Sequence, residues 1–265
     1  MVQKYRFILY SPNILFIFAA MKIEPIAFFR SPLTSKFGVP RQSGLAPTLP
    51  GRIVFQPEYR HPEAVRGLEA FDYLWLIWEF SQNAKPSTFN FQPSTFNSQP
   101  STFNLQPSTF NSKLTVRPPR LGGNERVGVF ASRSPFRPNR LGLSCVRINK
   151  VELTSPDGPV IHVTGADLMD GTPIYDVKPY VAYADAHPDA RSGFVDTHEW
   201  QPLEVDIPAT VATRFTANEL QALREVLAQD PRPRYHDDPH RVYGMPFAGH
   251  DIHFRVADGV VTVVE

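Results

Sequence analysis

Tyr73–Phe80 reads YLWLIWEF, an almost unbroken apolar and aromatic run, and its reading decides the fold: it is a buried central strand. Immediately upstream, PEAVRGLEAF (Pro62–Phe71) puts proline in the first turn of a short helix. Downstream, β signals recur at Val127–Ala131, Cys145–Leu153 and Val160–Thr164, separated by Pro, Gly and Asp clusters. Several short strands at such spacing favour a barrel or a sandwich.

After about Asp185 the pattern changes. HPDARSGFVDTHEWQP (187–202) is polar and proline-bearing, as a linker would be. Thr216 with Glu219 forms a capping box, and Leu220, Leu223, Val226 and Leu227 share one apolar face, which predicts a helix over 217–229 stopped by Pro231 and Pro233. HDIHFRVA and VVTVVE flank Asp258 and Gly259, a type I′ hairpin signature. The C-terminal unit is expected to be a small α+β domain.

At 265 residues, 42% of them hydrophobic, the chain can hold one large domain or two small ones around a real core. The net charge of +1 hides an asymmetry: nine basic residues face one acid from Lys113 to Lys150, whereas eleven acids face Lys178 and Arg191 from Glu152 to Asp206. A polyanion would meet one face of such a molecule. Cys145, the lone cysteine, excludes an intrachain disulfide and a thiolate zinc cluster and fits a reducing compartment. Residues 1–20 imitate a signal peptide, but Pro12 and Asn13 interrupt the apolar run, so a dispensable tail before Met21 is expected. From Pro86 to Lys113 a heptapeptide repeats four times as PSTFN plus two variable residues; its prolines forbid a coiled coil, and an inserted flexible loop is expected. Its four phenylalanines leave stacking on RNA bases as an alternative.

RPPRLGGNERVGVFASRSPFRPNRLG (Arg117–Gly142) carries six arginines against Glu125, with Arg147 just beyond. Unpaired guanidinium groups are not held in a core, so most must reach solvent or an anion, and planar donors on Pro/Gly loops suit phosphate or carboxylate. A merely solvated basic face is the bland alternative. No G-x-G-x-x-G follows a strand and no G-x-x-x-x-G-K-[ST] exists, so neither a dinucleotide fold nor a P-loop is supported.

RPPRLGGN (117–124), VFASRSPFRPN (129–139), DLMDGTPIYDVKPY (167–180) and DPRPRY (230–235) occur together in that order. The joint pattern resembles the TrmO family, also called TsaA-like or YaeB-like proteins, from about Ile23 onward with one insertion. The resemblance implies a mainly β fold: a β-barrel methyltransferase domain over 21–190, with the repeat loop at 86–113, and a C-terminal α+β domain over 191–265. It implies an S-adenosyl-L-methionine-dependent tRNA methyltransferase acting on N6 of threonylcarbamoyladenosine at position 37, next to the anticodon. A homodimer with composite sites and the tRNA anticodon stem-loop as partner follow from the same resemblance, and the reading as a whole expects a cytoplasmic protein with no membrane and no metal.

By that resemblance the methyl donor is held by Pro40, Arg41 and Gln42; Ser81 and Gln82; Arg133; Leu143; and Asp167, Leu168, Met169 and Asp170. Arg41 or Arg133 suits the donor carboxylate, Asp167 or Asp170 its ribose hydroxyls, and Gln82 a hydrogen bond of either sense. Ser81 stands where family members often have His, which leaves only a backbone contact secure there. Asp170 with Gly171 can also be read as a tight turn.

In DPRPRY, Arg232 and Arg234 suit phosphate, Tyr235 a base and Asp230 a proton, so Asp230 and Tyr235 are the candidate catalytic pair. Asp230 can equally do no more than end the helix. Arg117, Arg120, Arg137, Asn139, Arg140 and Arg232 are the candidate RNA contacts. His236, Asp237, Asp238, His240, His250, Asp251 and His253 offer enough ligands for a metal, but His250 and His253 fall on opposite faces of a strand, so a surface or structural role is expected. A non-catalytic RNA-binding barrel and a metal-dependent hydrolase are the rival functions; donor binding and a metal assay separate them from a methyltransferase.

Overall fold

The computed structural model describes residues 8–9, 15–16, 23–81, 114–118, 125–197, 201–233 and 238–264. The repeat array, most of the N-terminal tail, Gln82, Arg120, Arg234, Tyr235, His236 and Asp237 lie outside the described residues.

β1 (Ile8–Leu9) and β2 (Leu15–Phe16) pair antiparallel. Then come β3 (Ala27–Arg30), β4 (Pro50–Phe55), β5 (Tyr73–Glu79), β6 (Thr115–Val116), β7 (Val127–Gly128), β8 (Leu141–Glu152), β9 (Val160–Thr164) and β10 (Pro173–Pro179). Six of them close a barrel in the order β10-β3-β4-β9-β8-β5, every neighbouring pair antiparallel. Closure removes the open sheet edges that would otherwise invite association. β6 and β7 form a separate two-stranded pair beside it.

The expected strand at YLWLIWEF is there, but only one of its faces is core. Leu74, Leu76 and Trp78 are buried inside, while Trp75, Ile77 and Glu79 alternate outward and are half-covered. The outward Trp75 is sheltered by Tyr180, and its indole N–H donates to Asp185 at 3.1 Å, so an aromatic run stays compatible with a barrel wall. Two further expectations need correction. Pro62–Phe71 is not one helix but two 3₁₀ turns, Pro62–Val65 and Leu68–Ala70, because Gly67 between them sits at φ 90°. Val127–Ala131 is strand only to Gly128. The Val129–Ala131 segment turns as a 3₁₀ element, with the Val129 carbonyl accepting from Ser132 Oγ (2.9 Å) and Arg137 Nη1 (3.1 Å), so side chains take a backbone group that a ladder would need.

After α1 (Ala182–Asp185), the C-terminal unit contains β11 (Glu204–Asp206), α2 (Ala209–Ala212), α3 (Ala217–Ala228), β12 (Tyr243–Phe247), β13 (His250–Ala257) and β14 (Val260–Val264). The sheet runs β11-β14-β13-β12, with β11 parallel to β14. The capping box forms as expected: Glu219 N donates to Thr216 Oγ1 at 3.3 Å, and Thr216 N to Glu219 Oε2 at 2.9 Å. Ala222, Leu223, Val226 and Leu227 pack against the sheet. Asp258 (φ 49°) and Gly259 (φ 78°) make the type I′ turn between β13 and β14.

Among the described residues the buried side chains form two cores. One fills the barrel; the other lies between α3 and the C-terminal sheet, and Leu33, Ala46 and Leu49, from the stretch joining β3 to β4, belong to the second. That crossover brings residues 33–49 against the C-terminal unit.

Candidate active site

β5 ends beside the start of β8, with Leu76 opposite Ser144, Ile77 opposite Leu143 and Trp78 opposite Gly142. Gly142 leaves room for the indole: a Cβ there would stand 2.3 Å from Trp78 Cε2. Trp78 Nε1 donates to Ser144 Oγ at 2.9 Å, and Ser144 Oγ donates in turn to Asp167 Oδ1. Ser144 is one of the few buried polar side chains, 1% exposed, so an unmade bond there would carry a desolvation penalty. Burial pushes the Asp167 carboxyl above the usual carboxylate range; donation from Ser144, the charge of Arg133 and a hydrogen bond from the Ser43 backbone act against that rise.

This relay backs a cavity of about 260 Å³ lined by Lys36, Val39, Trp78, Glu79, Phe80, Ser81, Pro135, Asp167, Leu168, Met169 and Thr172. A second cavity of about 380 Å³ shares Lys36 and Val39 with the first and continues along Phe37, Gly38 and Arg41 to Val226, Gln229, Asp230 and Pro231 at the end of α3. The rim between them is firmly seated. Phe37 stacks on Tyr243 and Phe254 in the C-terminal core, and Gly38, at φ 97°, lies where a Cβ would meet Met245 Sδ at 2.8 Å. Gln229 Nε2 donates to Leu45 O at 3.0 Å, and Arg41 Nη2 to Asp230 O at 3.4 Å.

Of the expected donor residues, Ser81, Asp167, Leu168 and Met169 line the smaller cavity together. Arg41 lines the larger one instead, Pro40 is buried, and Gln42 accepts from Arg133 Nη1 at 3.0 Å. Leu143 faces outward on β8, 56% exposed. Asp170 has partners in the fold: Ser31 N donates to it at 3.1 Å, Arg30 lies 3.6 Å away, and Gly171 (φ 75°) follows it in the turn that was the alternative reading. Asp230, at φ 50° just past α3, has its carboxylate gripped by Arg232 Nε at 2.9 and 3.2 Å.

Several arginines expected to reach RNA have protein partners in this structure and are partly exposed. Arg137 Nη1 donates to Val129 O at 3.1 Å and to Ser132 O at 2.6 Å, and its guanidinium lies over Phe130. Arg140 reaches Glu79 at 3.8 Å while its own carbonyl accepts from Phe80 N. Arg232 holds Asp230. Arg117 and Asn139 are exposed. Glu79 also accepts from Tyr175 OH at 2.6 Å; burial, and then the neighbouring carboxylate, push that phenol up to about 12. His253 lies 3.4 Å from Asp251, and no group of three or more metal-ligating side chains occurs among the described residues.

The residues that sequence reading missed are Lys36, Trp78, Glu79 and Ser144. Trp78 and Glu79 stood within the quoted strand, but as core; nothing local marks Lys36 or Ser144, whose neighbours come from other elements.

These features define a class: a closed β-barrel with an acid-bearing, aromatic-walled cavity at one end, completed by a C-terminal α+β unit. The model for the tRNA-methyltransferase O N-terminal domain matches residues 28–186, and that for the TrmO C-terminal domain matches residues 201–265. The chain is 35% identical to a tRNA (adenine(37)-N6)-methyltransferase of Escherichia coli (strain K12), covering 91% of this chain and 95% of the relative. It is 36% identical to a putative S-adenosylmethionine-dependent methyltransferase of Pseudomonas aeruginosa, over 88% and 91%. A crystal structure of TrmO from Pseudomonas aeruginosa superposes with a TM-score of 0.67 at 30% identity, over 93% of this chain and 98% of that one. The chain belongs to the tRNA-methyltransferase O family.

Proposed function

We propose that this protein methylates N6 of adenine 37 in tRNA, with S-adenosylmethionine as methyl donor. The observation that carries the reading is the smaller cavity, which gathers Ser81, Asp167, Leu168 and Met169 beside an aromatic wall in a chain of this family. The wall fits the donor's chemistry: Trp78 and Phe80 give it an aromatic lining suited to an adenine, and Asp167 and Glu79 carry acceptors suited to ribose hydroxyls and to a sulfonium. Ligand pockets usually span about 300–1,000 Å³, so the smaller cavity encloses part of the donor, not all of it. When bound, the donor supplies an electrophilic methyl group.

The residues contribute chiefly alignment, for which effective molarities can reach about 10⁵ M or more. The larger cavity suits the acceptor nucleoside, which we take to be threonylcarbamoyladenosine. One proton must leave N6, and Asp230 and Tyr235 are the candidate groups; Asp230 acts there only once Arg232 releases its carboxylate. Arg117 and Asn139 are exposed and available to the RNA backbone, which they would meet at the anticodon stem-loop. No helix among the described residues is long and apolar enough to cross a membrane. The reading includes the cytoplasm as compartment, a barrel domain to about residue 190 and a homodimer in which exposed Phe130, Phe136 and Leu143 meet the partner copy.

The test is direct. Purified protein, labelled S-adenosylmethionine and tRNA from cells lacking this gene are combined, and nucleosides are resolved by mass spectrometry. A methyl group gained at position 37 is expected; none on any tRNA would sink the proposal.

A further inference from the structure

β3, β4, β9 and β8 stand side by side in the barrel wall, and their registers bring basic side chains into one row on its outer face. Arg30 is opposite Arg52, Arg52 opposite His162, and His162 opposite Lys150. Residues opposite one another on neighbouring strands share a face, and the intervening inward positions are filled by Phe29, Ile53, Ile161 and Val163. Arg147 lies in the adjacent outward row, opposite Thr164. Only part of this charge is met within the protein. Asp170 lies 3.6 Å from Arg30, and Glu152 lies 3.5 Å from Lys150 and 2.9 Å from His162. Arg52 and Arg147 are exposed and have no hydrogen bond or ion pair among the described residues. Like charges directly opposite one another destabilise a sheet, so the pairing of Arg30 with Arg52 works against the fold and is relieved by an anion bound across it.

We infer that the outer row Arg30, Arg52, His162 and Lys150, with Arg147 beside it, docks the phosphate backbone of the substrate tRNA outside the nucleotide that is methylated. The inference rests on the methyl-transfer reading and adds a surface to it. Neighbouring strands stand about 4.8 Å apart, so a row across four of them spreads its charge over roughly 14 Å, a length that suits a polyanion and exceeds a single small anion. The row also begins beside the site: Arg30 reaches Asp170, which directly follows the cavity-lining Asp167, Leu168 and Met169. An RNA with one nucleoside in the cavities therefore has cations to follow down the barrel wall. Contacts of this kind fix register and orientation and read no sequence, which suits residues on rigid strands.

The experiment titrates full-length protein with tRNA from cells lacking this gene over a range of salt concentrations, and measures methyl transfer on the same samples. Arg52→Ala and Arg147→Ala should each flatten the log–log salt dependence of binding by roughly 0.7–0.9, and the double variant by about twice that. Both should raise KM for tRNA while leaving kcat and the affinity for S-adenosylhomocysteine unchanged. Arg52→Lys, which keeps the charge, should retain the wild-type slope, and thermal melting of each variant controls for folding. Arg255→Ala removes the same charge from an exposed position on β13, opposite Thr262, which is itself opposite Asp206 on β11, and should leave the slope as in wild type. An unchanged slope in the double variant, or equal flattening by Arg255→Ala, overturns the assignment and leaves the methyl-transfer reading standing. Wild-type protein that neither binds tRNA nor methylates it would overturn that reading, and this inference with it.

Discussion

The cavity wall and the arginine-dense stretch make opposite use of polar groups. At the wall, a few unremarkable residues form a buried chain from Trp78 through Ser144 to Asp167, in which every bond is made inside the barrel and its far end faces the cavity. In the 126–140 stretch, residues that look made for a polyanion have protein partners: Arg137 clamps the Val129 and Ser132 carbonyls, and Arg140 lies 3.8 Å from the Glu79 carboxylate. At Arg137 charge serves to cross-link a loop, whereas a near-neutral stretch of barrel lines the smaller cavity. The difference follows from secondary structure. A barrel strand satisfies its own backbone in the ladder; a Pro- and Gly-rich loop leaves carbonyls outside any ladder, and the Arg137 guanidinium satisfies two of them.

The most severe test of that contrast is Trp78→Ala. Trp78 is 6% exposed within the barrel core, so its truncation should cost about 3–5 kcal/mol and enlarge the smaller cavity. Chemical denaturation should show the loss; a variant as stable as wild type would mean that the indole is not part of the core. Ser144→Ala is gentler in volume but leaves the indole N–H without its acceptor, for a loss of about 1–3 kcal/mol. If Ser144→Ala costs less than an exposed substitution, the relay is not an energetic unit.

Asp167→Asn probes the far end through pH. Burial raises the folded carboxyl, so in the window between the ordinary carboxylate range and the folded value the native state holds a proton that the unfolded chain has released. The stability contributed by this group is full below that window and is lost as pH rises through it. Asparagine keeps an acceptor for Ser144 and cannot ionise. The melting temperature of Asp167→Asn relative to wild type should therefore climb as pH rises from the carboxylate range toward neutrality. A difference that is flat or falls with pH would show that the donations from Ser144 and Ser43, with the charge of Arg133, outweigh burial.

Local signals were legible from the sequence wherever the physics is local. The Thr216–Glu219 box, the Asp258–Gly259 turn and the period of α3 each involve residues within four positions of one another, and each forms as read. The PEAVRGLEAF helix failed because the run contains Gly67, which the fold uses at positive φ. The site was only partly legible. Asp167, Leu168 and Met169 came from motif resemblance, but the relay joins Trp78 to Ser144 across 66 positions and Ser144 to Asp167 across 23, and no spacing announces such a bond. Lys36 was missed for the same reason: its place depends on Phe37 packing against residues more than 200 positions later.

The smallest expected effects separate arginines that brace the protein from those that meet RNA. Arg137→Ala removes two hydrogen bonds to carbonyls at a partly exposed site, so a stability loss of roughly 1 kcal/mol is expected, with little change in how tRNA binding depends on salt. Arg117→Ala should do the reverse. At an exposed position its effect on stability should stay within about 0.5 kcal/mol, while loss of one phosphate contact should flatten the log–log salt dependence of tRNA binding by roughly 0.7–0.9. Melting curves and salt titrations on the same two variants read both quantities. If Arg137→Ala flattens the salt slope and leaves melting untouched, the clamp seen at Val129 and Ser132 opens when RNA binds. The arginine-dense loop would then be an RNA surface, as its composition first indicated, and the contrast with the cavity wall would fail.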